Sequence, residues 1–347
     1  MKSKFDTLLI TKPENVRYLS GFTGEGVLLC QKQKITIITD PRYELRARQE
    51  MKKGVQLAVQ AKRSDEVFKK TLKSWRSKQL GFEAAKMTVA DLTNLKKRLR
   101  GLGLKFIPTT GVIEELRRVK SSAEIKQIAT ACGIADRALA ATLKSMKRGV
   151  TELAIAEEFR RQAFRRGAED LSFDSIVAFG ENSGCPHAKP SVRKLKKGDV
   201  VQFDIGVKVG GYCSDMSRVL FTAAPTVEQR RVFDAVSASQ LAGAQAVRAG
   251  AVCGEIDATC RGVLVQHELA EYFTHSTGHG VGLDIHEWPN NSPQSKDVLV
   301  SGHVVTVEPG VYLENKFGMR IEDTVLVQAR GAKILTNSPK KLRILKI

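Results

Sequence analysis

The sequence predicts an α+β chain of two domains, a smaller mixed α/β domain over residues 1–112 and a larger domain over residues 113–347. Up to about residue 112, short β-rich runs alternate with helical stretches, until Gly101, Gly103, Pro108 and Gly111 break the pattern. Beyond that point four long helical patterns come in two pairs. Each pair is followed by two apolar strand-like runs that are joined by a turn and carry an acid apiece, the layout of an internal pseudo-repeat. A length of 347 residues with 42% hydrophobic content allows two domains and ample core.

In the first domain the β-branched run Ile35–Thr39 is closed by Asp40-Pro41 and reads as a strand. The stretches 65–72 and 90–99 have the spacing of amphipathic helices. In the second domain Ser121, with Glu124 three residues on, forms a capping box. It opens a helix with the apolar stripe Ile125, Ile128, Cys132, Ala135, Leu139, Leu143 and Met146, expected to end before Gly149. A second helix should run from near Thr151 to Gly167. Thr226 with Gln229 opens a third, toward Gly250, and a fourth covers roughly residues 255–269.

The strand-like runs hold the chemistry. Residues 200–209 read as a buried strand containing Asp204, Gly210-Gly211 as a turn, and residues 212–221 as the returning strand. A hairpin centred between Val209 and Gly210 sets Asp204 opposite Asp215, with Cβ atoms roughly 5 Å apart. Residues 304–311 and 319–327 form the second pair, and a turn centred on Asn315 sets Glu308 opposite Glu322. Between them lies Thr277-Gly-His279-Gly-Val-Gly. Taken singly, each acid could be satisfied by backbone hydrogen bonds. Together, four carboxylates and one imidazole can hold two divalent cations that cancel the carboxylate charge. The oxygen-rich donor set suits Mn, Co or Fe, with Zn also open. Two cations roughly 3.5–4 Å apart activate water, which makes the chain a hydrolase.

These segments resemble the signature of the pita-bread metallopeptidases, the family of methionine aminopeptidase, Xaa-Pro aminopeptidase and prolidase. The resemblance implies a C-terminal pita-bread fold with a dinuclear centre on Asp204, Asp215, His279, Glu308 and Glu322, all of which have the expected residue type. Asn15-Val-Arg-Tyr-Leu-Ser-Gly-Phe-Thr-Gly24 and Ile35–Tyr43 resemble the creatinase-like N-terminal domain, which methionine aminopeptidases generally lack. The intact ligand set speaks against creatinase itself. The resemblance further implies catalytic roles for His187, after Gly180-Glu-Asn-Ser-Gly-Cys-Pro186, for His286, and for Glu308 as proton shuttle. It places His275 and Arg320 on the substrate side. Arg320 is also open to pairing with a ligand carboxylate or to being an exposed strand residue, and Tyr312 is read as packing. His267 and His303 are left structural. The expected activity is that of a metallo-aminopeptidase releasing the residue before proline, with Mn the first-choice metal. Prolidase, which takes only Xaa-Pro dipeptides, is the alternative, and a non-catalytic pita-bread binding protein a remote third. A homodimer is implied.

Composition bounds the rest. No stretch approaches the roughly 20 apolar residues of a membrane helix, and the amino terminus has too short an apolar core for a secretory signal. The six cysteines are scattered, with no CxxC pair. These features predict a soluble cytoplasmic protein without a membrane partner. The net charge of +19 is the odd feature. Its basic clusters, at residues 96–100, 160–166 and 193–197, match no nucleic-acid motif. They are read as solvated faces with no specific nucleic-acid partner.

Overall fold

A computed structural model describes residues 4–61 and 64–347, so the first three residues of the N-terminal domain lie outside it. The chain divides into two units, Met1–Arg117 and Arg118–Ile347.

The first unit is built on six strands: β1 (Thr7–Ile10), β2 (Gly26–Gln31), β3 (Lys34–Thr39), β4 (Val55–Val59), β5 (Gln79–Glu83) and β6 (Lys105–Thr109). They form one sheet in the order β4-β3-β2-β1-β5-β6, in which only β2 runs against its neighbours. Helices α1 (Pro13–Ser20), α2 (Glu44–Glu50), α3 (Glu66–Ser74) and α4 (Val89–Arg98) make the connections. The period of two along each strand divides neighbouring residues between the sheet faces. Leu8, Leu28 and Ile37 enter one core cluster, and Leu9, Leu29 and Ile38 enter the other, with Phe68, Leu72 and Leu95 of α3 and α4. Helix α5 (Val112–Arg118) carries the chain past the expected boundary at residue 112. The helix stays with the first unit because Ile113 is buried in its core. Asn15 also donates to Glu114 at 2.7 Å and accepts from Arg117 Nη1 at 2.7 Å.

The second unit repeats one plan twice. Its first half has α6 (Ser122–Thr142), α7 (Glu152–Phe164), β7 (Asp170–Leu171), β8 (Ile176–Phe179), β9 (Val200–Ile205), β10 (Val207–Val209), β11 (Tyr212–Cys213) and β12 (Met216–Phe221). Its second half has α8 (Val227–Ala246), α9 (Cys253–Gln266), β13 (Gly278–Gly280), β14 (Glu287–Asn291), β15 (Val304–Val307), β16 (Gly310–Leu313), β17 (Phe317–Arg320), β18 (Asp323–Val327) and β19 (Ala332–Ile334). Both capping boxes form: Ser121 with Glu124 opens α6, and Thr226 with Gln229 opens α8. Helix α6 ends at Thr142 and passes into a 3₁₀ turn, Leu143–Ser145, so the apolar stripe outlasts the α-helix. The pair α8 and α9 packs closely where Gly243 lies against Cys260 Sγ, space that a Cβ would fill.

The long strands expected from sequence are each broken in two, and the breaks fall beside the acids. In the first hairpin Val209 pairs with Tyr212 and Asp204 with Ser217, so the turn is centred between Gly210 and Gly211 and not between Val209 and Gly210. Both glycines have positive φ, 58° and 79°, the requirement of a two-residue type I′ turn. This register replaces the expected Asp204–Asp215 pair. Asp215 instead lies two residues from Ser217, diagonal to Asp204 on the same face. It occupies the gap between β11 and β12, where the hairpin passes from the sheet β11-β10-β7 to the sheet β12-β9-β8.

In the second hairpin Gly310 pairs with Arg320, and Val307 with Asp323. Both ladders share the register centred on Asn315, which opposes Glu308 to Glu322 in the interval between them. Pro309 has no N–H to donate across that interval. The freed backbone turns to other strands: Glu308 N–H donates to the Thr277 carbonyl at 2.8 Å, and Glu322 N–H to the Ser217 carbonyl at 3.2 Å.

Gly211→Val tests the first register. A β-branched residue at φ 79° is strained. We expect it to lower stability by about 1–2 kcal/mol or more, read as a lower urea midpoint. An unchanged midpoint would refute the type I′ turn.

Candidate metal centre

Asp204 projects from β9, Asp215 from the gap before β12, His279 from β13, and Glu308 and Glu322 from the interval between the paired strands of the second hairpin. The Gly-His-Gly-Val-Gly segment that carries His279 runs through a crowded place. A Cβ on Gly278 would collide with the Thr306 carbonyl oxygen, one on Gly280 with the Trp288 carbonyl, and one on Gly282 with the Glu287 carboxylate. Alternate residues of the strand must therefore be glycine for His279 to face the acids.

The five side chains converge. Donor atoms of Asp215, His279 and Glu322 all lie within 4.8 Å of one another. His279 Nε2 is 3.3 Å from Glu308 Oε1 and 3.6 Å from Asp215 Oδ2. His279 Nδ1 lies 3.0 Å from the Gly280 carbonyl. A carbonyl only accepts, so Nδ1 carries a proton. Burial opposes a charged ring, but the hydrogen bond and charge of Glu308 raise His279 above its ordinary value, so Nε2 is protonated as well, and a cation would take the place of that Nε2 proton. Asp204 Oδ1 and Glu322 Oε1 are buried with no hydrogen-bond partner among the described residues. Buried unpaired carboxylate oxygens are costly, and a divalent cation satisfies them. The donor set thus fits a metal centre with hard oxygen donors and one imidazole.

The electrostatics agree. Burial, with the charges of Glu322, Asp204 and Glu308, pushes the Asp215 carboxyl well above its ordinary range. Burial and the charges of Glu308 and Asp204 do the same to Glu322. Glu308 goes the other way: burial alone would raise it, but the hydrogen bond and charge of His279 hold it down to about 2.

A chain of hydrogen bonds supports the acids. The Arg320 side chain is only 3% exposed, and its groups are spent on the protein itself. Nη2 binds Asp204 Oδ2, Nε donates to Ser217 Oγ at 3.0 Å, and Nη1 donates to the Tyr312 hydroxyl and to the Pro186 carbonyl. Arg320 is therefore neither an exposed strand residue nor free for substrate, which corrects the substrate-side placement. It orients a candidate ligand. Tyr312 does more than pack. It accepts from Arg320 and lies 2.9 Å from His275 Nε2, while His275 Nδ1 lies 2.9 Å from the Ser276 carbonyl. The phenol therefore donates to His275. Burial pushes the Tyr312 hydroxyl up to about 12 and keeps His275 below its ordinary value, so both stay neutral.

His286 stands edge-on to His279 with ring centroids 4.3 Å apart, and burial followed by the charge of His279 lowers it. His187 is exposed, close enough to His275 and His286 to act electrostatically on both. His303 is buried and accepts the Val300 N–H on Nδ1.

Four supporting residues escaped the sequence reading. Ser217 Oγ donates to Glu322 Oε2 at 3.0 Å. Thr306 Oγ1 accepts the His279 N–H at 3.0 Å and donates to Glu308 Oε1 at 3.2 Å. Thr306 was findable, because it lies two residues before Glu308 on the same strand face. Lys120 and Glu287 form an ion pair at 2.6 Å with side chains 1% and 5% exposed. That pair ties the residue after His286 to the start of α6. No sequence pattern joins positions so far apart.

The chain matches Metallopeptidase family M24 over residues 126–329 and the Creatinase/Prolidase N-terminal domain over residues 1–119. It is 35% identical over 344 residues to the Xaa-Pro dipeptidase of Pyrococcus furiosus, covering 98% of this chain and 96% of the relative. Among solved structures it superposes on an Xaa-Pro dipeptidase from Bacillus anthracis with a TM-score of 0.94 and 36% identity, covering 98% and 95% of the two chains. It superposes on the X-Pro aminopeptidase from Thermotoga maritima MSB8 with a TM-score of 0.91 and 32% identity, covering 98% and 97%. No helix among the described residues is long and apolar enough to cross a membrane.

Two predictions follow from the charges. Asp215 and Glu322 are raised in the folded state, so folding takes up protons. The stability they supply to the metal-free protein is lost as pH rises through their folded values. Cations replace those protons. The rise in melting temperature on adding Mn²⁺ should thus be larger at about pH 8 than at about pH 6; an equal rise at both would contradict the protonated cluster. Breaking the Lys120–Glu287 pair with Lys120→Met should lower stability by about 3–5 kcal/mol, while Lys120→Arg recovers most of it. Wild-type stability in the methionine variant would show the pair to be dispensable.

Proposed function

Because the chain belongs to metallopeptidase family M24, with a creatinase/prolidase N-terminal domain, we propose that it is a dinuclear metal-dependent exopeptidase that cleaves the bond between an N-terminal residue and proline. The observation that carries this reading is the meeting of Asp215, His279 and Glu322 within 4.8 Å of one another, with Glu308 3.3 Å from His279 and the buried oxygens Asp204 Oδ1 and Glu322 Oε1 without partners among the described residues. In this reading Asp204, Asp215, His279, Glu308 and Glu322 hold two divalent ions. Manganese is the first choice, because the set has no thiolate and only one imidazole. The ions, when bound, lower the pKa of a coordinated water and polarise the scissile carbonyl.

The chain's own residues supply the rest. Glu308, ionised and steadied by the Thr306 hydroxyl, takes a proton from the attacking water and passes it to the leaving nitrogen. His286, kept neutral by burial, offers an N–H to the substrate carbonyl oxygen as negative charge develops there. His187 contacts the scissile amide or the leaving group from the outer side. His275, fixed by Tyr312 and set edge-on to Phe273 with centroids 4.9 Å apart, lines the pocket for the proline ring. A proline amide has no N–H and a fixed φ, so recognition falls on ring shape and not on a backbone donor. The reading keeps the cytoplasmic homodimer expected from sequence.

The length of the substrate divides this reading in two. The sequence leans toward longer peptides, because no inserted loop to cap a short substrate is visible in it. The similarity to two proteins named Xaa-Pro dipeptidases weighs the other way, and we take Xaa-Pro dipeptides as the primary substrate. The aminopeptidase reading stands second on the likeness to the Thermotoga protein. The test is to incubate Mn-loaded protein with an Xaa-Pro dipeptide and with an Xaa-Pro-Yaa-Zaa peptide and to follow the released N-terminal amino acid. Release mainly from the dipeptide is expected. Release from the longer peptide at an equal or greater rate would make the aminopeptidase reading correct, and release from neither would refute both.

A further inference from the structure

We propose that the larger unit carries a docking face for duplex DNA, gripped through its phosphodiester backbone and not through its bases. The fold gathers three basic segments, residues 143–151, 192–198 and 341–347, none of which contains an acid. The first two pair directly: Gly149 N–H donates to the Leu195 carbonyl at 2.9 Å, Leu195 N–H donates to the Val150 carbonyl at 2.8 Å, and Thr151 bridges Lys194. The third joins through β12. Phe221 N–H donates to the Arg343 carbonyl at 3.0 Å and Leu345 N–H to the Phe221 carbonyl at 2.7 Å, while the Thr222 hydroxyl donates to the Lys196 carbonyl at 2.8 Å. Met146, Leu195 and Leu345, one from each segment, meet in a single core cluster.

Each segment exposes three cations that enter no ion pair among the described residues, including Lys147, Lys197 and Lys346. The nearby acids are already engaged. Glu181 and Asp199 bind Arg193, and Asp323 binds Arg218 and Lys340. Glu152 is held by the Phe179 N–H and by Ser191, and Asp136 by Asn337 and Ser338, so nine exposed cations outnumber the acids beside them. The result is a concentration of uncompensated positive charge on ordered backbone, assembled from positions about 200 residues apart in sequence.

The other side chains of the face indicate the partner. The three segments contain no Phe, Tyr or Trp, so no platform exists for stacking the bases of a single strand. Leu195 and Leu345 turn inward, and the large exposed apolar side chains are Val192 and Ile344, which lack the interfacial character of Trp, Phe or Leu anchors in lipid. Point charges remain, and duplex DNA presents one negative charge per roughly 1.7 Å of its axis. Most of these cations are lysines, which meet phosphate as point charges, and phosphate contacts carry no sequence information, so the proposed binding is independent of sequence.

The test is fluorescence anisotropy of the Mn-loaded full chain with a labelled DNA duplex of mixed sequence, titrated between about 50 and 200 mM salt. Wild-type affinity should fall by about 10³-fold or more across that range. The triple variant Lys147→Ala, Lys197→Ala, Lys346→Ala should lessen the slope of log affinity against log salt by about 1 per lysine. Its Xaa-Pro hydrolysis should match wild type, which shows that the variant is folded. Removing three cations elsewhere, with Lys96→Ala, Lys97→Ala and Arg100→Ala, should leave the slope unchanged. Equal losses from both triple variants would overturn the proposal, as would tighter binding to single strands of the same sequence, or to phosphatidylglycerol vesicles, than to the duplex.

Discussion

The structure of the larger unit depends on one unfavourable act, the burial of several carboxylates within reach of one another. Asp204, Asp215 and Glu322 are all nearly inaccessible, and two of their oxygens have no partner among the described residues. Like charges at such depth repel, and each loses its hydration. The protein relieves part of this with His279 beside Glu308 and with Arg320 beside Asp204. It relieves the rest by holding Asp215 and Glu322 toward their protonated forms. A pair of divalent cations removes the conflict altogether. That makes the site a receptor for cations and explains why its acids are tolerated among buried residues that are mostly apolar.

The backbone is arranged around the same requirement. Each acid other than Asp204 sits where a strand ladder is interrupted, and the interruptions let one strand bond to more than one neighbour. Glu308 and Glu322 send their N–H groups to Thr277 and Ser217, and so join the second hairpin to the His279 strand and to the first hairpin. The glycines around His279 permit the close approach of Thr306 and Trp288. The relay Asp204–Arg320–Tyr312–His275 then connects a candidate metal ligand to a candidate pocket residue without any exposed group. A change at Arg320 would therefore be felt both by the acids and by the pocket.

Much of this was readable in the sequence where local rules govern. The helix starts at Ser121 and Thr226 follow from capping boxes, which involve residues three apart. The register opposing Glu308 to Glu322 follows from a turn centred on Asn315, whose φ of 58° an asparagine tolerates. The first hairpin was misread by one residue in its centre, because two successive glycines allow either position until both are known to be left-handed. Its acids consequently sit diagonal and not opposed. The roles of Tyr312, Ser217 and Lys120 were not readable, and for Arg320 pairing with a ligand carboxylate was only one of the open readings. Each depends on a partner on another strand or helix, and side-chain type alone does not say whether a strand arginine faces solvent or a buried aspartate. The gathering of three basic segments likewise becomes visible only once β12 is seen to lie beside the carboxyl-terminal segment.

The most direct test of the central claim is anomalous diffraction from crystals of the protein soaked in Mn²⁺. The account predicts two anomalous peaks roughly 3.5–4 Å apart, within coordination distance of Asp204, Asp215, His279, Glu308 and Glu322, with the Asp204 and Glu322 oxygens that now lack partners among the coordinating atoms. A single peak outside this cluster, or none at full soaking concentration, would contradict it.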